Sequence, residues 1–447
     1  MIDTVYALSS APGKGGVAVI RVSGPESWNS LKSLICNNKV PSVRQADLRR
    51  LVDPVSRETL DEAVVIGFRA PASFTGEDIV EYHCHGSPAV IEGVLSALSQ
   101  MSGHRPAEPG EFTRRAFENG KMDLTEAEAV ADLIDAETQA QRRQALAQMG
   151  GALSRLYDGW RAALVKTLAY IEAVIDFPDE DVPDSEIEKM RPQIEKLKCE
   201  IKDHLNDNRR GERLRHGIHV AVIGAPNAGK SSLVNALARR DVAIVSDLAG
   251  TTRDVIEVHL DLGGYPVILS DTAGLRPGQV GEDAHGAIES EGIRRALQRA
   301  EEADIRLLLF DGSADRLDPG TAALVNEKAI TVLNKRDVFE SSPPGGMKEG
   351  IKLSVKTGEG LDDLMAALIE KIKMLIGQRE TPVLTRARHR AALEECLAAL
   401  EKSLSAPLPE LMAEDLRLAV RALGRITGRV DVEDLLDVIF KDLCIGK

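Results

Sequence analysis

Residues 219–238 read HVAVIGAPNAGKSSLVNALA, and this stretch decides the fold of the segment around it. It opens on an apolar run of strand length and closes on SSLVNALA, which has helical spacing. Between the two lies Gly-x-x-x-x-Gly-Lys-Ser, from Gly224 to Ser231, the arrangement in which backbone N–H groups wrap phosphate oxygens. Gly224 and Gly229 permit the backbone angles this needs. Lys230 would neutralise β- and γ-phosphate oxygens, and the Ser231 hydroxyl would bind Mg2+. A strand before the motif and a helix after it separate a phosphate loop from a chance match, so nucleotide binding is predicted.

Guanine rather than adenine follows from a second stretch, AITVLNKRD at 329–337. A carboxylate at Asp337 can accept from both the ring N–H and the exocyclic amine of guanine. Adenine offers no such pair of donors, and the carboxylate would stay unpaired. Asn334 and Lys335 would frame the base and the loop. Alone, Asn-Lys-x-Asp is a common surface sequence. Here DTAG (271–274) stands between it and the phosphate loop, and SVK (354–356) follows.

Together these motifs resemble the TRAFAC-class GTPases across about 217–378. The resemblance implies that Asp271 reaches Mg2+ through water and that Gly274 donates its N–H to the γ-phosphate. GTTRD (250–254) would be the first switch, with Thr252 as a second Mg2+ ligand beside Ser231. GTP would then touch Asn227, Ala228, Gly229, Lys230, Ser231 and Ser232 in the phosphate loop. In the switches it would touch Ser246, Asp247, Leu248, Ala249, Gly250, Thr251, Thr252, Asp271, Thr272, Ala273 and Gly274. Around the base stand Asn334, Lys335, Asp337, Ser354, Val355 and Lys356. One departure matters. Leu275 follows DTAG where Ras-like enzymes keep a water-positioning Gln, so hydrolysis needs another device. Asn227, beside the phosphates, could hold a monovalent cation in place of an arginine finger, and Glu289 could position water. Each by itself would be an ordinary surface residue.

The rest of the chain surrounds this segment with a different texture. Residues 1–120 read as mixed α/β, with β-rich runs such as GVAVIRVSG (16–24) and AVVIGF (63–68) between turn clusters. Helical periodicity sets in at Leu124, is broken at DFPDEDVPD (176–184), and returns after about 379. Within 212–379, apolar strand-like runs alternate with helical ones, and Gly263–Gly264 marks one antiparallel hairpin. The predicted architecture is multidomain α/β plus all-α. An N-terminal α+β domain (1–120) precedes a helical domain (121–211 and 380–447) that is interrupted by the α/β domain (212–379).

Composition sets the outer limits. A chain of 447 residues exceeds one ordinary core. Acidic residues outnumber basic ones 70 to 56, a formal charge of −14 that argues against a surface built for nucleic acid and against DNA as partner. Basic clusters remain at RRGERLRH (209–216) and TRARHR (385–390), each readable as a solvated helix end. No run approaches the ~18 apolar residues of a membrane span, and MIDTVYALSS lacks a basic region ahead of an apolar run. The five cysteines are scattered and never form Cys-x-x-Cys, which points to reduced thiols and a cytoplasmic protein. His83-Cys84-His85 could suggest a metal, but strand alternation puts Cys84 opposite its neighbours, so no metal is expected there.

The ending KDLCIGK (441–447) leaves four readings of Cys444: a prenylation signal, a redox thiol, part of a site that uses the chain end, or a buried structural thiol on a terminal helix. Prenylation fits poorly, because Gly446 and Lys447 follow Ile445.

With PNAGKSS, GTTRD and a terminal Cys-x-Gly-Lys, the chain resembles the MnmE (TrmE) family of tRNA wobble-uridine modification GTPases. GKGGVAVIRVSG (13–24), SFTGEDIVE (73–81) and RPAEPGEFTRRAFENGKMDLTEAEAVADLIDA (105–136) extend the resemblance to essentially the whole chain. It implies an N-terminal domain that forms a homodimer and binds a one-carbon tetrahydrofolate, in the 5-formyl or 5,10-methylene form. Arg21, Glu81, Lys121 and Lys447 would contact the folate, and Cys444 would lie near it for one-carbon transfer. The family usually has Phe where this chain has Leu443, an apolar exchange. K+-dependent pairing of G domains would drive hydrolysis. Asn227, Ser246, Leu248 and Thr251 would hold K+, and Glu289 would position water, with Glu282 and Glu291 as fallbacks for a longer segment at 276–287. Lys230 and Thr251 complete the implied catalytic set. The implied partners are tRNA and MnmG (GidA), which carries FAD. A ribosome-assembly GTPase of the Era or Der type is the alternative, and a lipid-anchored switch through Cys444 a second one.

Overall fold

The computed structural model describes residues 3–36, 39–176, 185–240, 242–243, 257–271, 301–338, 350–377, 382–430, 433–441 and 443–446. These form two compact units. One comprises 1–131, 148–195 and 395–447; the other comprises 132–147 and 196–394.

The first unit is built on a six-stranded sheet of order β3-β4-β5-β2-β1-β6. Its strands are β1 (Thr4–Leu8), β2 (Gly15–Ser23), β3 (Asp47–Val52), β4 (Thr59–Phe68), β5 (Ile79–Gly86) and β6 (His104–Pro106). All neighbours are antiparallel except β1 and β6. Alternation along β5 sends Val80, Tyr82 and Cys84 into the core with Leu31, Leu34, Val94 and Leu98 from the helices Ser27–Leu34 and Pro88–Ser99. Glu81, His83 and His85 consequently share the other face.

The same unit joins chain from both sides of the central α/β segment. The helix Ala152–Asp176 buries Leu153, Tyr157, Trp160, Leu164, Thr167 and Ile171, a stripe at helical spacing. It packs on the helix Pro409–Thr427, which buries Met412, Leu416, Ala419 and Leu423. Arg417 reaches Glu172 at 2.8 Å and Arg429 reaches Asp158 at 2.5 Å across this pair. A helical layer interrupted by an inserted segment thus closes on itself, as the change of texture along the sequence predicts.

The chain end also docks within this unit. The backbone of Ile445 bridges Pro109, Gly110 N–H donates to Cys444 O at 3.3 Å, and Ser9 Oγ donates to Gly446 O at 2.9 Å. Next to this contact, Glu111 accepts from Arg105 (2.6 and 2.8 Å) and Arg115 (3.0 and 3.2 Å), while Arg115 also donates to Asp3 O at 2.8 Å. Burial alone would raise the Glu111 pKa, but the two guanidiniums and the Glu108 N–H hold it below the ordinary value.

The second unit holds a sheet of order β12-β11-β10-β7-β9-β8. It comprises β7 (Ile218–Gly224), β8 (Glu257–Leu262), β9 (Tyr265–Asp271), β10 (Ile305–Asp311), β11 (Ala329–Asn334) and β12 (Ile351–Lys352). Every pair is parallel except the β8–β9 hairpin, which turns at the Gly263–Gly264 pair singled out in the sequence. The helix Leu361–Ile376 covers it with Leu361, Leu364, Leu368 and Ile372, and the helix Lys230–Ala238 adds Leu233, Val234 and Leu237. Within this unit, Asp132 is clamped by Arg215 (2.8 Å) and Arg386 (2.7 Å), and Ala140 N–H donates to Gly264 O at 3.0 Å.

Gly110 lies at φ +67°, and a Cβ there would sit 2.3 Å from Phe440 O. Left-handed backbone costs a non-glycine residue about 1–3 kcal/mol before the clash is counted. Gly110→Ala is therefore expected to loosen the terminal segment, so that limited proteolysis removes the C-terminal peptide at a dose that leaves the parent intact. Equal resistance of variant and parent would contradict this packing.

Candidate functional site

The C-terminal ends of β7, β10 and β11 meet where the order of the parallel sheet changes direction, the position at which such sheets form a ligand crevice. A cleft of about 660 Å3 opens there, lined by Asn227, Gly229, Ser232, Asn334, Lys335, Asp337, Ser354, Val355 and Lys356 among others. Residues predicted from two separate motifs thus face one cavity.

At the phosphate end, Gly229 caps the helix Lys230–Ala238 in the left-handed region at φ +99°, and Asn227 is left-handed at φ +62°. Lys230 Nζ donates to Gly224 O at 2.9 Å and Ala225 O at 3.0 Å, folding its ammonium back over the loop it would share with phosphate oxygens. Ala228 is fully buried. Ser231 stands at the start of the helix, where the helix dipole favours an anion, and its hydroxyl suits Mg2+.

At the base end, Asn334 is only 4% exposed and uses both ends of its amide. Its Nδ2 donates to Ala228 O at 2.8 Å and its Oδ1 accepts from Val355 N–H at 3.1 Å. A Cβ on Gly229 would lie 2.3 Å from that Nδ2, so glycine is required there by Asn334 as well as by its own φ. Ser354 Oγ donates to Asp337 Oδ1 at 2.7 Å, the principal cause of a pKa held below the ordinary carboxylate range. Asp337 is therefore an acceptor at neutral pH, as pairing with guanine requires.

Asp311, at the end of β10, was not singled out in the sequence. Its carboxylate meets Lys335 Nζ at 2.5 Å and accepts from Ser313. Burial would raise its pKa, but the ammonium and these donors keep it low. Lys335 itself is left-handed at φ +66°, and the ion pair holds its side chain along the cleft. The apolar run ending in Asp311 was the available signal.

Several predicted residues lie outside the described ones: Ser246, Asp247, Leu248, Ala249, Gly250, Thr251, Thr252, Thr272, Ala273, Gly274, Glu282, Glu289, Glu291 and Lys447. Asp271 ends β9, in register with Val222 of β7, and its side chain is likewise outside the description.

The first unit holds a second cluster. Arg21 and Glu81 are cross-strand partners on β2 and β5, with Nε and Oε1 3.0 Å apart. The Arg21 guanidinium lies over the rings of Phe74 (5.3 Å) and Phe112 (5.5 Å), a pair of cation–π contacts that neither motif announced. Lys121 Nζ donates to Pro71 O at 3.0 Å. Cys444 is exposed, and its carbonyl contacts Gly110, two residues before Phe112. Cys84 packs in the core, its thiol pushed up to about 12 by burial and then by the charge of Asp61. Among the described residues, no group of three or more His, Cys, Asp and Glu has metal-binding geometry, and no helix is long and apolar enough to cross a membrane.

Exchanging Asp337 for Asn replaces an acceptor with an amide that can donate. Losing that charge-assisted hydrogen bond weakens affinity by roughly 10- to 150-fold. Asp337→Asn is expected to weaken GDP binding by that order and to improve binding of xanthosine diphosphate, which presents a carbonyl in place of the amine. Unchanged preference between the two in a fluorescence competition would contradict the placement of the base.

Two family models match the chain: "GTP-binding protein TrmE N-terminus" over residues 4–121 and "MnmE helical domain" over 124–444. The chain is 56% identical over 450 residues to the tRNA modification GTPase MnmE of Parvibaculum lavamentivorans and 53% identical over 450 residues to that of Paramagnetospirillum magneticum, covering all of each protein. It is 48% identical over 465 residues to the human mitochondrial 5-taurinomethyluridine-[tRNA] synthase subunit GTPB3, covering 99% of this chain and 93% of that one. The N-terminal match leaves the Era-type alternative without support, and the sequence and structure together give one conclusion: the chain belongs to the MnmE (TrmE) family.

Proposed function

We propose that this chain hydrolyses GTP and couples the reaction to modification of the wobble uridine, at C5 of U34, in certain tRNAs. The observation that carries the reading is the cleft in which Asn334 links the phosphate loop to the base loop, with Lys230 at one end and Asp337 at the other. In this reading Lys230 exchanges its carbonyl partners for β- and γ-phosphate oxygens. Asp337, braced by Ser354, accepts from the guanine edge.

Hydrolysis lacks a Ras-type Gln, because Leu275 follows DTAG. The left-handed Asn227 lines the cleft, which supports its side chain as a K+ ligand, with Ser246, Leu248 and Thr251 completing the set. Bound there, K+ would supply the positive charge that an arginine finger supplies elsewhere. Mg2+ would be held by Ser231 and Thr252, and Glu289 would position water. Pairing of two G domains would assemble this site, and their opening and closing would be passed on through the helical segments.

The Arg21–Glu81 pair, with Lys121 and Lys447, is the proposed seat of a one-carbon tetrahydrofolate. Its carboxylate suits the pterin's N–H edge and its cations suit the anionic tail. Docking of the chain end beside Gly110 supports a role for Cys444 in that site. The protein would act as a cytoplasmic homodimer with MnmG, which brings FAD and, given the acidic charge of this chain, much of the tRNA affinity. The four-part division at 120, 211 and 379 belongs to the same proposal.

Steady-state GTP hydrolysis in K+ against Na+ at equal ionic strength tests the mechanism. K+ is expected to accelerate turnover at least tenfold, about 1.4 kcal/mol of barrier, and Asn227→Ala and Glu289→Ala are each expected to abolish the gain. The same slow rate in both salts would contradict the cation mechanism.

A further inference from the structure

Asp311 ends β10 directly opposite Asn334, the last residue of β11. Its two carboxylate oxygens serve different segments. Oδ1 accepts from the Ser313 N–H at 2.9 Å and from the Ser313 hydroxyl at 2.6 Å, which fixes the turn that leaves β10. Oδ2 accepts from Lys335 Nζ at 2.5 Å. Lys335 reaches it from the left-handed region, at φ +66°, a conformation that a residue with a side chain keeps only where its surroundings hold it. Val338 N–H donates to Lys335 O at 2.9 Å, and Arg336 N–H donates to Leu353 O at 3.1 Å, which steadies the backbone there. The neighbouring cation takes a different carboxylate, with Arg336 Nε 3.3 Å from Glu359 Oε1. Lys335 lines the nucleotide cleft beside Asn334 and Asp337, whereas Asp311 does not line it.

We propose that Asp311 is a positioning residue for the nucleotide: it holds the Lys335 side chain in place as part of the cleft wall at the base end before any ligand enters. A lysine side chain left to itself samples many rotamers, and ordering it on binding costs affinity. One that is already ordered avoids that cost. With its ammonium bound to Asp311, Lys335 presents its methylene stem rather than a free charge, and Lys230 in the phosphate loop is the cation placed for the phosphates. The Lys335 side chain is 34% exposed, and an ion pair so open to water adds little to fold stability. What the pair fixes is a direction. The inference rests on the nucleotide reading of the cleft and adds to it a residue outside the motifs that announced the cleft.

Asp311→Asn breaks the contact without changing the shape of the side chain. Its remaining oxygen can still accept from Ser313, while the amide that replaces Oδ2 meets the Lys335 ammonium donor to donor. Lys335→Met removes the ammonium, keeps an unbranched stem and leaves the turn at Ser313 untouched, so it reports the same contact from the other side. Fluorescence titration of the full-length protein with N-methylanthraniloyl-GDP is expected to show about three- to tenfold weaker binding for each variant. The double variant should bind no more weakly than either single one, because both remove one interaction. In steady-state GTP hydrolysis, Asp311→Asn should raise KM by a similar factor with kcat unchanged, the pattern of a contact made equally in the ground and transition states. Parent-like affinity in either single variant, losses that multiply in the double variant, or a fall confined to kcat would overturn the role of Asp311 while leaving the nucleotide reading in place. No binding of the GDP probe by the parent would overturn both.

Discussion

The buried amide of Asn334 is the interaction on which the nucleotide cleft depends. Its donor end holds the phosphate loop through Ala228 O, and its acceptor end holds the loop after β12 through Val355 N–H. Two segments far apart in sequence are thereby fixed against one another. The constraint propagates outward. Gly229 has no room for a side chain because Asn334 fills the space, and the Ser354 backbone next to Val355 sets the hydroxyl that braces Asp337. Removing either end of such an amide strands a buried partner, at about 1–3 kcal/mol each. The geometry therefore tolerates little substitution.

The first unit depends on a different constraint, the return of the chain end to the N-terminal segment. Gly110 and Gly446 each let backbone pass where a Cβ would collide with a carbonyl, at 2.3 and 2.2 Å. Nearby, one carboxylate, Glu111, gathers Arg105 and Arg115 and ties the helix that follows Gly110 to the start of the chain. The backbone of Cys444 is thus held at a defined position while its side chain stays exposed.

Much of this was legible in the sequence where the chemistry is local. The phosphate loop could be read because Gly-x-x-x-x-Gly-Lys-Ser carries its own backbone requirement between a strand and a helix. The β8–β9 hairpin could be read because Gly263–Gly264 interrupts two apolar runs. What escaped depends on tertiary contact. Asp311 looks like any residue ending a buried strand until Lys335 arrives from the next one. Phe74 and Phe112 lie far apart in sequence, and only the fold brings both against Arg21. His83 reads as half of a possible metal pair, whereas the sheet turns it toward Glu81. The switch residues and Glu289 are legible only through family resemblance, and they lie outside the described residues.

The central claim is that GTP held in this cleft serves wobble-uridine modification. Its most direct test is nucleoside mass spectrometry of tRNA from a bacterial host deleted for its own gene of this family, complemented with the parent chain or with Lys230→Ala. Restoration of the modified wobble uridine by the parent and its absence with Lys230→Ala is the predicted result. Equal restoration by Lys230→Ala, or a wobble uridine that the parent leaves unmodified, would contradict the account.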